Sequence, residues 1–92
     1  MDIEWDSDKA DSNLKKHGVS FTAATRVFED TSRVEWLDSR RDYREERYIT
    51  VGEVNSELIS VAYTTRGEIV RIISARRATR TEEEEYHGNR PV

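Results

Sequence analysis

The chain has 92 residues, 35% hydrophobic and 37% charged, with no cysteine and a net charge of −4 from 15 Lys plus Arg against 19 Asp plus Glu. That length allows one domain with a small core, and the lack of cysteine excludes disulfide and thiol chemistry. No apolar run approaches a bilayer span and the acidic start, Met1 to Asp6, is no secretory signal, so a soluble cytoplasmic protein without membrane contact is expected; the acidic balance argues against an indiscriminate nucleic-acid binder.

Ile3 and Trp5 suggest a short first strand. Asp6, Ser7 or Asp8 then offers an N-cap to a helix from Asp8 to His17, striped with Ala10 and Leu14, and Gly18 stands where a left-handed C-cap is wanted. Ser20 can cap a second helix with Phe21, Ala24, Val27 and Phe28 on one face, ended by Asp30, Thr31 and Ser32. The period of the apolar pattern then drops from about 3.6 to about 2. Arg33 to Asp38 alternates, with Val34 and Trp36 on one side, and Ser39 to Glu46 is a charged loop. Arg47 to Val54 is a further strand carrying Ile49 and Val51. Asn55-Ser56 makes a tight turn, because Asn tolerates positive φ. Leu58 to Thr64 returns, Thr65-Arg66-Gly67-Glu68 turns again, and Ile69 to Ser74, apolar on both faces, reads as a central strand. From Arg77 to about Tyr86 the pattern is helical, with a frayed end around Pro91.

The expected fold class is α+β: a small antiparallel sheet in the order β-α-α-β-β-β-β-α, with one face on helices and the other partly open. A single domain over residues 1–92, with an ordered core of about 2–87, accommodates it.

Residues 66–80 carry Arg66, Arg71, Arg76, Arg77 and Arg80 against Glu68 alone. Arg71 lies inside an apolar run, where an unpaired charge is expensive. Such a cluster needs an anion: either carboxylates within the chain or an external phosphate. A guanidinium holds two phosphate oxygens at once, and several on one sheet face would grip a phosphodiester and the charge of its transition state. Arg76 is expected near a helix start, where free N–H groups favour anions, and Arg47 opens a neighbouring strand. Lys16 and His17, in the last turn of the first helix, serve as cap and packing residues or as phosphate contact and proton-transfer group. Glu82 to Glu85 reads as a solvated helix face, and Trp5, Trp36 and the tyrosines as core or partner contacts, with stacking left open at Tyr43 and Tyr48. The two histidines lie far apart and no carboxylate run has ligand spacing, so no metal and no cofactor is expected.

Trp5-Asp6, Lys9-Ala10, Asn13, Lys16-His17-Gly18, and Phe21 with Ala24 and Val27-Phe28 are followed by Glu46-Arg47 with Gly52, and by Arg71-Ile72-Ile73-Ser74-Ala75-Arg76-Arg77-Ala78 with Tyr86. In that order these blocks resemble the pattern of BrnT, the ribonuclease toxin family of bacterial type II toxin–antitoxin pairs, from Ile3 to Tyr86. The resemblance implies a fold similar to RelE-type toxins and metal-independent RNA cleavage that blocks translation. It also implies neutralisation by a BrnA-type antitoxin, whose DNA-binding domain brings the complex to operator DNA.

The expected chemistry is attack of the RNA 2′-hydroxyl on its adjacent phosphate. Arg71 and Arg76 hold that phosphate with support from Arg47, Lys16 or His17 moves the proton, and Arg66, Arg77 and Arg80 contact the RNA. A docked antitoxin helix is expected to bury some of these arginines. The rival is a non-catalytic interaction module, or an inactive toxin scaffold, whose arginines only dock a partner.

Overall fold

The computed structural model describes residues 1–39 and 44–88; Tyr43, part of the charged loop and the chain end from residue 89 lie outside them. The order is β1 (Asp2–Glu4), α1 (Ser7–His17), α2 (Phe21–Thr25) with a 3-10 turn (Arg26–Glu29), β2 (Val34–Leu37), β3 (Tyr48–Val54), β4 (Glu57–Arg66), β5 (Ile69–Arg77) and α3 (Arg80–Gly88). The five strands form one sheet in the order β1-β5-β4-β3-β2.

Strands β2 to β5 are antiparallel neighbours, as short connections require. Between β3 and β4 the turn is made by Asn55 and Ser56 with φ of 50° and 67°, both in the left-handed region a tight hairpin uses. The sheet is not wholly antiparallel, however: β1 runs parallel to β5, with Ile3 opposite Val70 and Glu4 opposite Arg71. No hairpin joins these two strands, so loop length sets no direction for β1.

Local signals explain the helices. Asp6 caps α1 by accepting from the N–H groups of Asp8 and Lys9 at 2.8 and 3.2 Å. The Lys9 N–H, followed by that of Asp8, holds the Asp6 carboxyl below its ordinary pKa. Gly18 closes the helix at φ 71°, its N–H on the Leu14 carbonyl. Ser20 caps α2 by accepting from Ala23 N–H at 3.0 Å.

The last strand and helix differ from the sequence expectation. Strand β5 continues to Arg77, because Arg76 and Arg77 still pair with Ser60 and Ile59 of the long β4. Helix α3 therefore begins at Arg80, where Thr79 and Glu82 form a reciprocal capping box: Glu82 N–H donates to Thr79 Oγ1 at 3.2 Å and Thr79 N–H to Glu82 Oε1 at 2.9 Å.

Both sheet faces are covered, unequally. Phe21, Ala24 and Val27 pack with Val61, Ile72 and Ala75 on the face under α1 and α2. Tyr86 of α3 packs with Ile49 and Val51 on the other. Strand β1 reaches only Arg71, so the outer edge of β5 beyond it lacks a strand neighbour. Asn13 of α1 takes that place at Ala75: its amide nitrogen donates to the Ala75 carbonyl at 2.8 Å and its oxygen accepts from Ala75 N–H at 3.1 Å. The same amide donates to Val19 O at 2.9 Å, so a buried edge stays satisfied.

Candidate nucleic-acid interface

Paired residues in the ladders fix which side chains share a face. On the α3 side, Trp36, Ile49, Ala62 and Ser74 form one row across β2, β3, β4 and β5. Val34, Val51, Ser60 and Arg76 form the next row, under α3. On the other flank, Arg71 stands between Thr64 and Glu4. Arg47 continues this row, since it precedes β3 and its carbonyl accepts from Asp38 N–H at 2.8 Å. Arg66, two positions beyond Thr64, falls on the same face.

A β-bulge makes this grouping possible. Tyr63 pairs with Ile72 and Ala62 with Ser74, so Ile73 is an extra residue on β5. Arg71 and Arg76 would otherwise point to opposite faces; the bulge turns both toward α3. Between the end of β2 and the start of α3 lies a cleft of about 330 Å³, lined by Trp36, Leu37, Asp38, Ser39, Ile49, Arg76, Thr79, Thr81 and Glu82.

The cluster is answered largely from within. Arg71 Nη1 is hydrogen-bonded to Glu4 Oε2. Arg76 grips Glu82 with both terminal nitrogens, at 2.7 and 3.0 Å, and Glu82 also accepts from Ser60 Oγ at 3.1 Å. Burial works to raise the Glu82 carboxyl, but Arg76, the Thr79 N–H and Ser60 outweigh it, and the pKa lies below the ordinary value. Glu82 is thus a buried ion-pair partner and not part of a solvated face; the Thr79-to-Glu82 capping-box spacing was the sequence signal for it. The anion at the start of α3 is this carboxylate, and Arg76 lies in the strand before it.

The remaining candidates separate. Arg77 pairs with Glu57 at 3.4 Å, and its ladder partner Ile59 places it on the α1 side. Arg80 is an exposed α3 residue near Glu84 at 3.5 Å. Neither joins the arginine row. Among the described residues Arg66 makes no ion pair within 4.0 Å. Lys16 and His17 line a separate cavity of about 320 Å³ along the flank of β5, with Asn13, Ile73 and Ser74. That cavity borders the strand that carries Arg71 and Arg76, but Lys16 and His17 approach it from α1.

Tyr48 stacks on Tyr63, with ring centroids 5.4 Å apart, and donates to Glu46 at 2.8 Å. That hydrogen bond raises the Tyr48 pKa. Tyr63 donates to Glu35, which also accepts from Arg33 at 2.8 Å. Burial foremost, then Glu35, pushes the Tyr63 hydroxyl far above its ordinary pKa. The pairing of Tyr63 with Ile72 puts this polar group on the face under α1 and α2, away from the arginine row.

Residues 5–82 match the model of a family described as the ribonuclease toxin BrnT of type II toxin–antitoxin systems. The chain belongs to this BrnT family. No curated protein matches it. BrnT membership assigns the chain to ribonuclease toxins and implies an antitoxin partner. Among the described residues no helix of this BrnT-family chain is long and apolar enough to cross a membrane.

Proposed function

We propose that the chain is a metal-independent endoribonuclease that blocks translation by cutting RNA in the cytoplasm and is neutralised by a BrnA-type antitoxin, which carries the pair to operator DNA. The observation that carries this reading is the family match over residues 5–82.

The arrangement of Arg47, Arg66 and Arg71 on one face supports a phosphodiester site. Arg71 spends Nη1 on Glu4 and keeps other donors for phosphate oxygens. Arg76 has both terminal nitrogens on Glu82, so it holds α3 and adds positive charge to the cleft wall. In the proposed reaction the 2′-oxygen bonds to phosphorus as the bond to the 5′-oxygen breaks, leaving a cyclic phosphate. Glu4, on the arginine face and hydrogen-bonded to Arg71, is best disposed to take the 2′ proton. Lys16 or His17 returns a proton to the 5′-oxygen if the strand crosses the open edge of β5 beside Ser74. Arg77 and Arg80 contribute at most distant contacts.

Purified protein in EDTA should cut RNA to cyclic-phosphate ends, and Arg47→Ala and Arg71→Ala should each slow cutting about 100-fold or more. Folded variants that cut at the parental rate would sink the assignment. The pairing of Arg71, Arg76, Arg77 and Arg80 with carboxylates favours a second reading, a non-catalytic docking module. Growth arrest on expression, relieved by Arg71→Ala without unfolding, decides against that module.

A further inference from the structure

One aromatic side chain on the arginine face has no part in the chemistry above. Trp36 heads the row that continues through Ile49, Ala62 and Ser74. Ala62 and Ser74 are short, so this row forms a low floor between the arginine row and α3. Trp36 is half-buried: it packs against the Ile49–Val51–Tyr86 cluster and also lines the cleft. Arg47 is its diagonal neighbour on the adjacent strand, two positions before Ile49, which pairs with Trp36. Diagonal neighbours on one face lie about 7–8 Å apart, within reach of long side chains, a spacing suited to a base and its own phosphate.

We infer that Trp36 is a stacking platform for one single-stranded nucleobase, whose adjoining phosphate lies on Arg47. The inference rests on the ribonuclease reading and adds a base contact to it. Every base has a π-face, so stacking tolerates sequence. It also supplies affinity that does not depend on net charge, which suits a chain at −4. The other tryptophan cannot serve: Trp5 packs edge-on to Phe21, at 6.0 Å between ring centroids, in the helix-side core.

The test uses a non-cleavable 2′-O-methyl single-stranded RNA hexamer and a copy with abasic sites throughout. In a Trp5→Phe background, adding the hexamer should quench the Trp36 emission. Trp36→Leu should bind the hexamer roughly 5- to 150-fold more weakly, the range for losing one base–aromatic stack. The abasic hexamer should bind the parent with a similar loss, and Trp36→Leu should no longer tell the two hexamers apart. Trp36→Phe should recover part of the affinity. A merely structural tryptophan would not erase the difference between hexamers. Where Trp36→Leu lowers the melting temperature, Trp36→Phe and the abasic comparison on the parent carry the test. If the parent cuts RNA yet binds both hexamers alike, or the abasic penalty persists in Trp36→Leu, stacking is overturned and the ribonuclease reading stands. If the parent neither binds the hexamer nor cuts RNA, both fall.

Discussion

Arg71 and Arg76 stand five positions apart on β5 and still share a face, because the bulge at Ile73 inverts the alternation between them. They differ in what they touch. Arg71 makes a single contact to the half-exposed Glu4, whereas Arg76 makes a two-pronged contact to Glu82, whose side chain is only 11% exposed. Arg76→Ala strips a buried carboxylate of its partner and should lower stability by about 1.5–3 kcal/mol. Arg71→Ala should cost about 1 kcal/mol or less while abolishing most RNA cleavage. Urea denaturation alongside a cleavage assay checks both. Equal stability losses would remove the distinction drawn between the two arginines.

Glu82 gives the pH dependence a sign. Its pKa is depressed in the folded protein, so its contribution is fully present above the ordinary value of about 4.5 and is lost as pH falls through the lower folded value. The parent should therefore lose stability steeply below about pH 4.5. Glu82→Gln keeps a capping-box residue but removes the titrating group, so its acid limb should be shallower. Melting temperatures from pH 7 to pH 3 measure this; parallel curves for the two proteins would contradict it.

The proton acceptor is open to a direct measurement. Glu4 lies on the arginine face, whereas Lys16 and His17 line the cavity on the α1 side of β5. Glu4→Gln should cut the cleavage rate about 100-fold. His17→Ala should leave the rate within a few-fold of the parent. A Glu4→Gln protein that cuts at the parental rate would return the role to Lys16 or His17.

Local rules carried the fold a long way. The caps at Asp6 and Ser20, the stop at Gly18 and the Asn55-Ser56 turn are short-range signals, and each appears in place. Non-local pairing was less legible. That β1 lies parallel to β5 depends on the whole chain returning, and no loop announces it. The extension of β5 to Arg77 depends on the length of β4. For the candidate site, the sequence identified the arginines as a group but could not show which face each would take, because one bulged residue decides that for Arg71 and Arg76. Their partners were hidden for the same reason: Glu4 is 67 positions from Arg71 in the chain. Glu82 was nearer and marked by its capping box, but read as one of four like residues.

Asn13 shows how much a single polar side chain can hold. It closes the edge of β5 at Ala75 and ties the Val19 carbonyl into the same turn, with its own side chain buried. Asn13→Ala leaves a backbone N–H and two carbonyls without those partners. At roughly 1 kcal/mol per lost hydrogen bond the cost should be about 3 kcal/mol, or more than about 10 °C in Tm for a domain of this size. Asn13→Asp should be as damaging, since it retains the acceptor and loses both donors to carbonyls. Thermal denaturation decides, and a variant melting within a few degrees of the parent would show that water replaces the amide at that edge.

Gly52 is required by proximity and not by backbone angle. A Cβ built there would lie 2.9 Å from Val27 Cγ1, 3.1 Å from the Val27 carbonyl oxygen and 3.3 Å from Arg33 Cβ. Val27 is fully buried among Phe21, Ala24 and Val61, and the backbone oxygen cannot swing aside as a side-chain tip can. Gly52→Ala must therefore push the 3-10 turn off the sheet and should cost about 1–3 kcal/mol, the usual range for overpacking. Pairing it with Val27→Ala separates the contacts. If the Val27 methyl is the main obstacle, Gly52→Ala should cost less in the Val27→Ala background than in the parent; if the carbonyl is, the two losses should add. Denaturant midpoints of the four proteins measure the coupling, and a Gly52→Ala protein as stable as the parent would mean that the turn and the sheet are not in contact at that point.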